Sequence, residues 1–122
     1  MKYSYKLRQV DLAHSRKTLA IDLPVELAVV ETFLMSDINQ GSKNSFLKAI
    51  DRVLNGESEY QEITGNVCCL EIRKNTTKVI NVLAEFTDEN IDSECLIETA
   101  ELRKLIETWL DAKSKFDKSS SV

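Results

Sequence analysis

Glycine, proline and histidine are scarce in this chain: three Gly, one Pro and one His among 122 residues. So little glycine and proline argues against a loop-rich architecture. The single His, with no glycine-rich phosphate loop and no Gly-x-Ser-x-Gly, removes most nucleotide-binding and nucleophilic catalytic templates. The chain lacks an apolar run of about 18 residues, so it contains no membrane-span pattern, and Met1-Lys2-Tyr3-Ser4-Tyr5 lacks the apolar stretch of a secretory signal. A cytoplasmic location is the expectation.

Cysteine is also sparse, and its placement is uninformative for a disulfide framework: Cys68 and Cys69 are adjacent and Cys95 stands apart. In the run Val67-Cys68-Cys69-Leu70-Glu71-Ile72 successive strand side chains point to opposite faces, so the adjacent pair cannot readily grip one ion. A zinc site built with Cys95 and His14 would lack any Cys-x-x-Cys pair to chelate locally. The cysteines read as small buried hydrophobes, and no metal or other cofactor is expected. His14 lies in the polar connector Ala13-His14-Ser15-Arg16-Lys17 and reads as a surface residue.

What remains is a composition with 43% apolar and 30% charged residues, suited to one globular domain. The expected domain covers residues 1–118, with a flexible Ser-rich tail at 119–122. Lys2 to Leu12 alternates Tyr3, Tyr5 and Leu7 against Lys2, Ser4, Lys6 and Arg8, the period-2 pattern of a strand with one wet face. Thr18 to Leu23 repeats the pattern, and the short gap predicts a hairpin. Pro24 suits the first turn of a helix reaching Ile38, with Leu27, Val30, Phe33 and Leu34 as its stripe and Val25, Ala28 and Val29 widening it. A second helix carries Phe46, Leu47, Ile50, Val53 and Leu54 and ends at Gly56, with Ser42 or Asn44 as its N-cap. Glu57–Thr64, Val67–Arg73 and Thr77–Phe86 predict three meandering strands, the last central and covered on both sides. Cys95-Leu96-Ile97 adds a short pairing segment. A last helix follows, with Thr99 as its N-cap and Leu102, Leu105, Ile106, Trp109 and Leu110 facing the core. The fold class is α+β, an antiparallel sheet of five to six strands, made of an N-terminal hairpin and a central meander, carrying three helices.

The overall charge of −4 hides an asymmetry. Residues 1–20 hold Lys2, Lys6, Arg8, Arg16 and Lys17 against Asp11 alone. Residues 79–101 hold Glu85, Asp88, Glu89, Asp92, Glu94, Glu98 and Glu101 with no Lys or Arg. Like charges this dense repel one another unless a basic partner or a cation offsets them. A calcium loop is a poor match, because Asp88-Glu89-Asn90-Ile91-Asp92 lacks the Gly of a tight turn and the ligand spacing. A solvated loop, or a docking face for a basic protein, accounts for the run. Phosphates would be repelled, so direct nucleic-acid binding is not expected. Glu94 with Glu98 or Asp92 could supply the paired carboxylates of an enzyme, but carboxylates are common on surface loops and no enzymatic activity is expected.

The strand meander from Tyr60, the run Phe86-Thr87-Asp88-Glu89-Asn90-Ile91-Asp92 and the helix from Thr99 to Phe116 resemble the immunity proteins of bacterial toxin systems, in particular those of contact-dependent growth inhibition. The remainder of the chain matches them in size, charge and layout. The second half also resembles a family of small enterobacterial proteins of no assigned role. The first resemblance implies an antitoxin that binds a cognate toxin domain, often a nuclease, and blocks its active site or substrate surface. A nuclease needs a positive groove, which an acidic inhibitor can occupy as a phosphate mimic. On this reading Glu85, Asp88, Glu89, Asp92, Glu94 and Glu98 make the contact. A homodimeric scaffold that pairs through an exposed strand edge or helix stripe is the alternative.

Overall fold

The computed structural model describes residues 2–39, 41, 43–83 and 93–120, with side chains to residue 117. Strands β1 (Lys6–Asp11) and β2 (Lys17–Asp22) form an antiparallel hairpin in which Leu7 faces Ile21 and Gln9 faces Leu19. Helices α1 (Ala28–Asp37) and α2 (Lys43–Leu54) follow. Strands β3 (Tyr60–Thr64), β4 (Cys68–Arg73), β5 (Thr76–Asn81) and β6 (Glu94–Glu98) make a four-stranded antiparallel sheet in sequence order, and α3 (Thr99–Ser120) closes the described fold. The α+β class holds, but the strands divide into two sheets instead of one. Strand β2 lies against α1 and α3, and Ala20 and Ile21, which point to opposite faces, are both buried there.

Residues at every second position of the sheet build the core. Cys68, Leu70 and Ile72 on β4, Thr77 and Val79 on β5, and Ile97 on β6 point inward and are buried. They meet Val30, Phe33 and Leu34 of α1, Phe46, Ile50 and Val53 of α2, and Leu102, Leu105, Ile106 and Trp109 of α3. Phe33 and Phe46 meet edge to face, centroids 5.1 Å apart at 78°, the arrangement that ring quadrupoles favour. Arg103 of α3 binds Asp51 of α2 through Nε at 2.6 Å and a second guanidinium nitrogen at 3.3 Å.

Several local expectations need correction. The first strand starts at Lys6, because Lys2 and Tyr3 are drawn to Glu98 and Glu101 instead of continuing the ladder. The segment after Pro24 opens as a 3₁₀ turn over Val25–Leu27 before α1 begins, which leaves Val25 85% exposed and Ala28 outside the stripe. Asn44 lies inside α2, so it is not a cap; Ser42 is outside the described residues. Thr99 begins α3, but its hydroxyl is spent elsewhere: it is buried, donates to the Arg73 carbonyl and pairs with the Thr77 hydroxyl at 2.8 Å. Strand β5 is central but stops at Asn81, whose side chain accepts from the Leu83 N–H at 3.0 Å and turns the chain. Its outward side chains, Lys78 and Ile80, are only half-buried, so β5 is not covered on both faces. Ala84 and Phe86, assigned to that strand, lie outside the described residues.

Two backbone devices were not legible beforehand. Asp37, at the end of α1, is 2% exposed. Its carboxylate accepts from the backbone N–H groups of Asn66 (2.9 Å), Val67 (3.0 Å) and Cys68 (2.8 Å), thereby fastening the β3–β4 turn to the helix layer. A Cβ on Gly65 would lie 2.8 Å from the Asp37 Cγ, so only glycine lets the turn approach this closely. The second device is the hairpin tip. His14 (φ 63°) and Ser15 (φ 61°) are both left-handed, the geometry of a type I′ turn whose centre favours Asn-Gly. Replacing His14 by Asn and Ser15 by Gly together is therefore expected to raise stability by about 1 kcal/mol, since left-handed non-glycine residues store backbone strain. A urea midpoint that does not rise would contradict this reading of the turn.

Candidate functional site

Alternation that buries one face of the four-stranded sheet presents the other face to solvent. The registers place Glu62 opposite Glu71, Glu71 opposite Lys78, and Lys78 opposite Leu96, forming one row across β3, β4, β5 and β6. A second row runs Thr64, Cys69, Ile80, Glu94. Tyr60 and Arg73 open the face at one end, the guanidinium 4.7 Å from the ring centroid. Leu96 is 62% exposed, while Cys69 in the middle of the face is buried between its neighbours. The Tyr60 hydroxyl donates to Glu62 at 3.0 Å. Burial, that hydrogen bond and the charges of Glu62 and Glu71 push the Tyr60 phenol up.

Of the six carboxylates expected to make a contact, Glu94 and Glu98 lie on the outer face of β6 with Leu96 between them. Glu85, Asp88, Glu89 and Asp92 lie outside the described residues. Glu94 is exposed. Glu98 differs: it holds the N-terminal arm, accepting from the Lys2 ammonium and, at 2.5 Å, from the Tyr3 hydroxyl. These hydrogen bonds, Lys2 first and Tyr3 second, bring its carboxyl down to about 2. Its charge is thus already matched within the chain. Glu101 accepts from the Lys2 backbone N–H at 3.1 Å, which lowers its carboxyl as well. Glu62, Glu71 and Leu96 were not singled out from the sequence. The signal that could have found them is the period of two in β3, β4 and β6, extended to ask which side chains share the wet face.

Cys68, Cys69 and Cys95 are not joined in disulfides. Burial pushes the Cys68 thiol up to about 12, which keeps it protonated and a poor metal ligand. Among the described residues no helix is long and apolar enough to cross a membrane.

The architecture is therefore an α+β domain whose helices pack on one face of an antiparallel meander; among the described residues no element covers the other face, which carries Glu62, Glu71, Glu94 and Glu98 with Lys78 and Arg73. The sequence matches no family model and no solved structure. It is 37% identical over 121 residues to a Bacillus cereus protein named "Immunity protein", an alignment covering 99% of this chain and 97% of that relative. The chain belongs to that immunity protein family.

Proposed function

We propose that this chain is the cytoplasmic antitoxin of a contact-dependent growth inhibition system, binding a basic nuclease domain of the toxin and covering its active-site or substrate surface without catalysing a reaction. The observation that carries this reading is the acidic segment 79–101, seven carboxylates without a Lys or Arg, in a chain related over its full length to an immunity protein. A nuclease groove built to hold phosphates supplies the positive surface that such a segment lacks. Glu85, Asp88, Glu89, Asp92, Glu94 and Glu98 are the proposed contacts, with Glu94 the exposed member on the sheet. The pairing of Glu98 with Lys2 and Tyr3 gives it the smaller share.

Reversing Asp88, Glu89 and Asp92 together to Lys tests the proposal. The variant is expected to stay folded, because charged side chains in a polar run rarely supply core packing. It is expected to associate with the toxin domain about tenfold or more slowly at low salt. For the wild type, the on-rate should fall as salt rises, since steering is screened beyond about 8 Å at physiological ionic strength. Stopped-flow association kinetics measure both effects. An unchanged on-rate in the triple variant would remove the acidic run from the contact.

A further inference from the structure

The open face of the sheet carries two features that disfavour the isolated protein. Glu62 and Glu71 are directly opposite on β3 and β4, a like-charge cross-strand pair of the kind that destabilises a sheet. On the same row Leu96 stands 62% exposed, with Ile80 diagonal to it on β5 and Glu94 beside it. Lys78 lies between Glu71 and Leu96 and Arg73 lies beside Tyr60 at one end; with Glu98 already paired to Lys2, these two cations leave a small acidic excess on the described face, around an apolar patch. Neither feature is needed by the core, which lies on the other side of the sheet.

A partner that brings cations to Glu62, Glu71 and Glu94 and an apolar side chain to Leu96 and Ile80 relieves both penalties at once. We infer that this open face is the docking surface for the toxin domain, whose matching surface is cationic around an apolar contact. The inference rests on the antitoxin reading above and extends the contact from the acidic run and β6 to β3 and β4. Electrostatics and packing then have separate kinetic roles: the carboxylates set the rate of encounter, and Leu96 sets the lifetime of the complex.

The experiment uses the full chain and, as the toxin probe, the C-terminal domain of any large secreted protein encoded in the adjacent reading frame, purified in a catalytically inactive form. E62K places an ammonium opposite Glu71, so it is expected to raise the urea midpoint while slowing association severalfold at low salt. A more stable protein that binds more slowly is an outcome that misfolding cannot produce. L96A is expected to speed dissociation about tenfold while leaving the on-rate close to wild type. Wild-type binding with both variants at wild-type rates would overturn the docking face and leave the antitoxin reading intact. Failure of the wild type to bind the domain, or the absence of such a reading frame, would overturn the antitoxin reading itself.

Discussion

Asp37→Ala is expected to destabilise the fold by about 3 kcal/mol, although the residue lies at the end of a helix and contributes no apolar surface. The carboxylate is buried and its two oxygens take the N–H groups of Asn66, Val67 and Cys68. Alanine would leave these donors without the acceptor around which the turn is built. Burying a polar group without a partner costs about 1–3 kcal/mol even from mutational data. The Gly65 backbone is pressed too close to Asp37 for the turn to close inward without moving Phe46, whose Cζ would sit 3.0 Å from a Cβ at that position. Asp37→Asn should also destabilise, because its amide keeps one acceptor oxygen and turns a donor toward N–H groups. Urea unfolding of both variants measures the effect. A loss below about 1 kcal/mol for the alanine variant would mean that water replaces the carboxylate and that the β3–β4 turn is not held by it.

The largest expected packing loss is at Trp109. The ring is 1% exposed and belongs to the core with Leu102, Leu105 and Ile106, and the Lys113 ammonium lies 5.6 Å from its centroid. Trp109→Ala should cost about 3–5 kcal/mol, the range for truncating a large buried aromatic side chain. Among the described residues the buried indole Nε1 has no hydrogen-bond partner, so Trp109→Phe, which keeps an aromatic ring in the site, should cost clearly less than the alanine substitution. Chemical denaturation followed by circular dichroism compares the two. Equal losses would mean that a Phe ring recovers none of the packing of the indole, and an unchanged midpoint in Trp109→Ala would contradict the buried stripe of α3.

The stripe of α3 was readable because a 3.6-residue period over Leu102, Leu105, Ile106 and Trp109 admits one face only. The hairpin and the meander were readable because their alternation is interrupted at Gly65-Asn66 and at Lys74-Asn75. Long-range matters were not. Nothing local to Asp37 shows that its carboxylate will be buried under a turn some thirty residues later, and a polar residue ending a helix ordinarily faces water. Thr99 carries a good capping signal, yet the hydroxyl is taken by Arg73 and Thr77 once β4 and β5 are brought alongside. Val25 fits the apolar period of a helix, but the 3₁₀ turn changes the rotation per residue and places it in solvent. The division into two sheets depends on where β2 finds its apolar partners, and strand patterns do not encode that choice.

The acidic bias of residues 79–101 was visible from composition, whereas the face it joins was not. Glu62 and Glu71 are distant from Glu94 in sequence and share a sheet face with it only through the register of four strands. Glu98 shows the converse. Its position in the acidic run suggested a free contact, but the N-terminal arm supplies Lys2 and Tyr3 as partners. Charge counted along a chain identifies a segment, while the fold decides which of its members remain available.

The measurement that tests the central claim most directly is inhibition of the adjacent-frame toxin domain by this chain. The purified domain, assayed for cleavage of RNA and of DNA, should lose activity in proportion to added protein until one equivalent is present, and co-expression should restore growth to cells producing the domain. Undiminished cleavage at a large molar excess, with no protection of growth, would contradict the account.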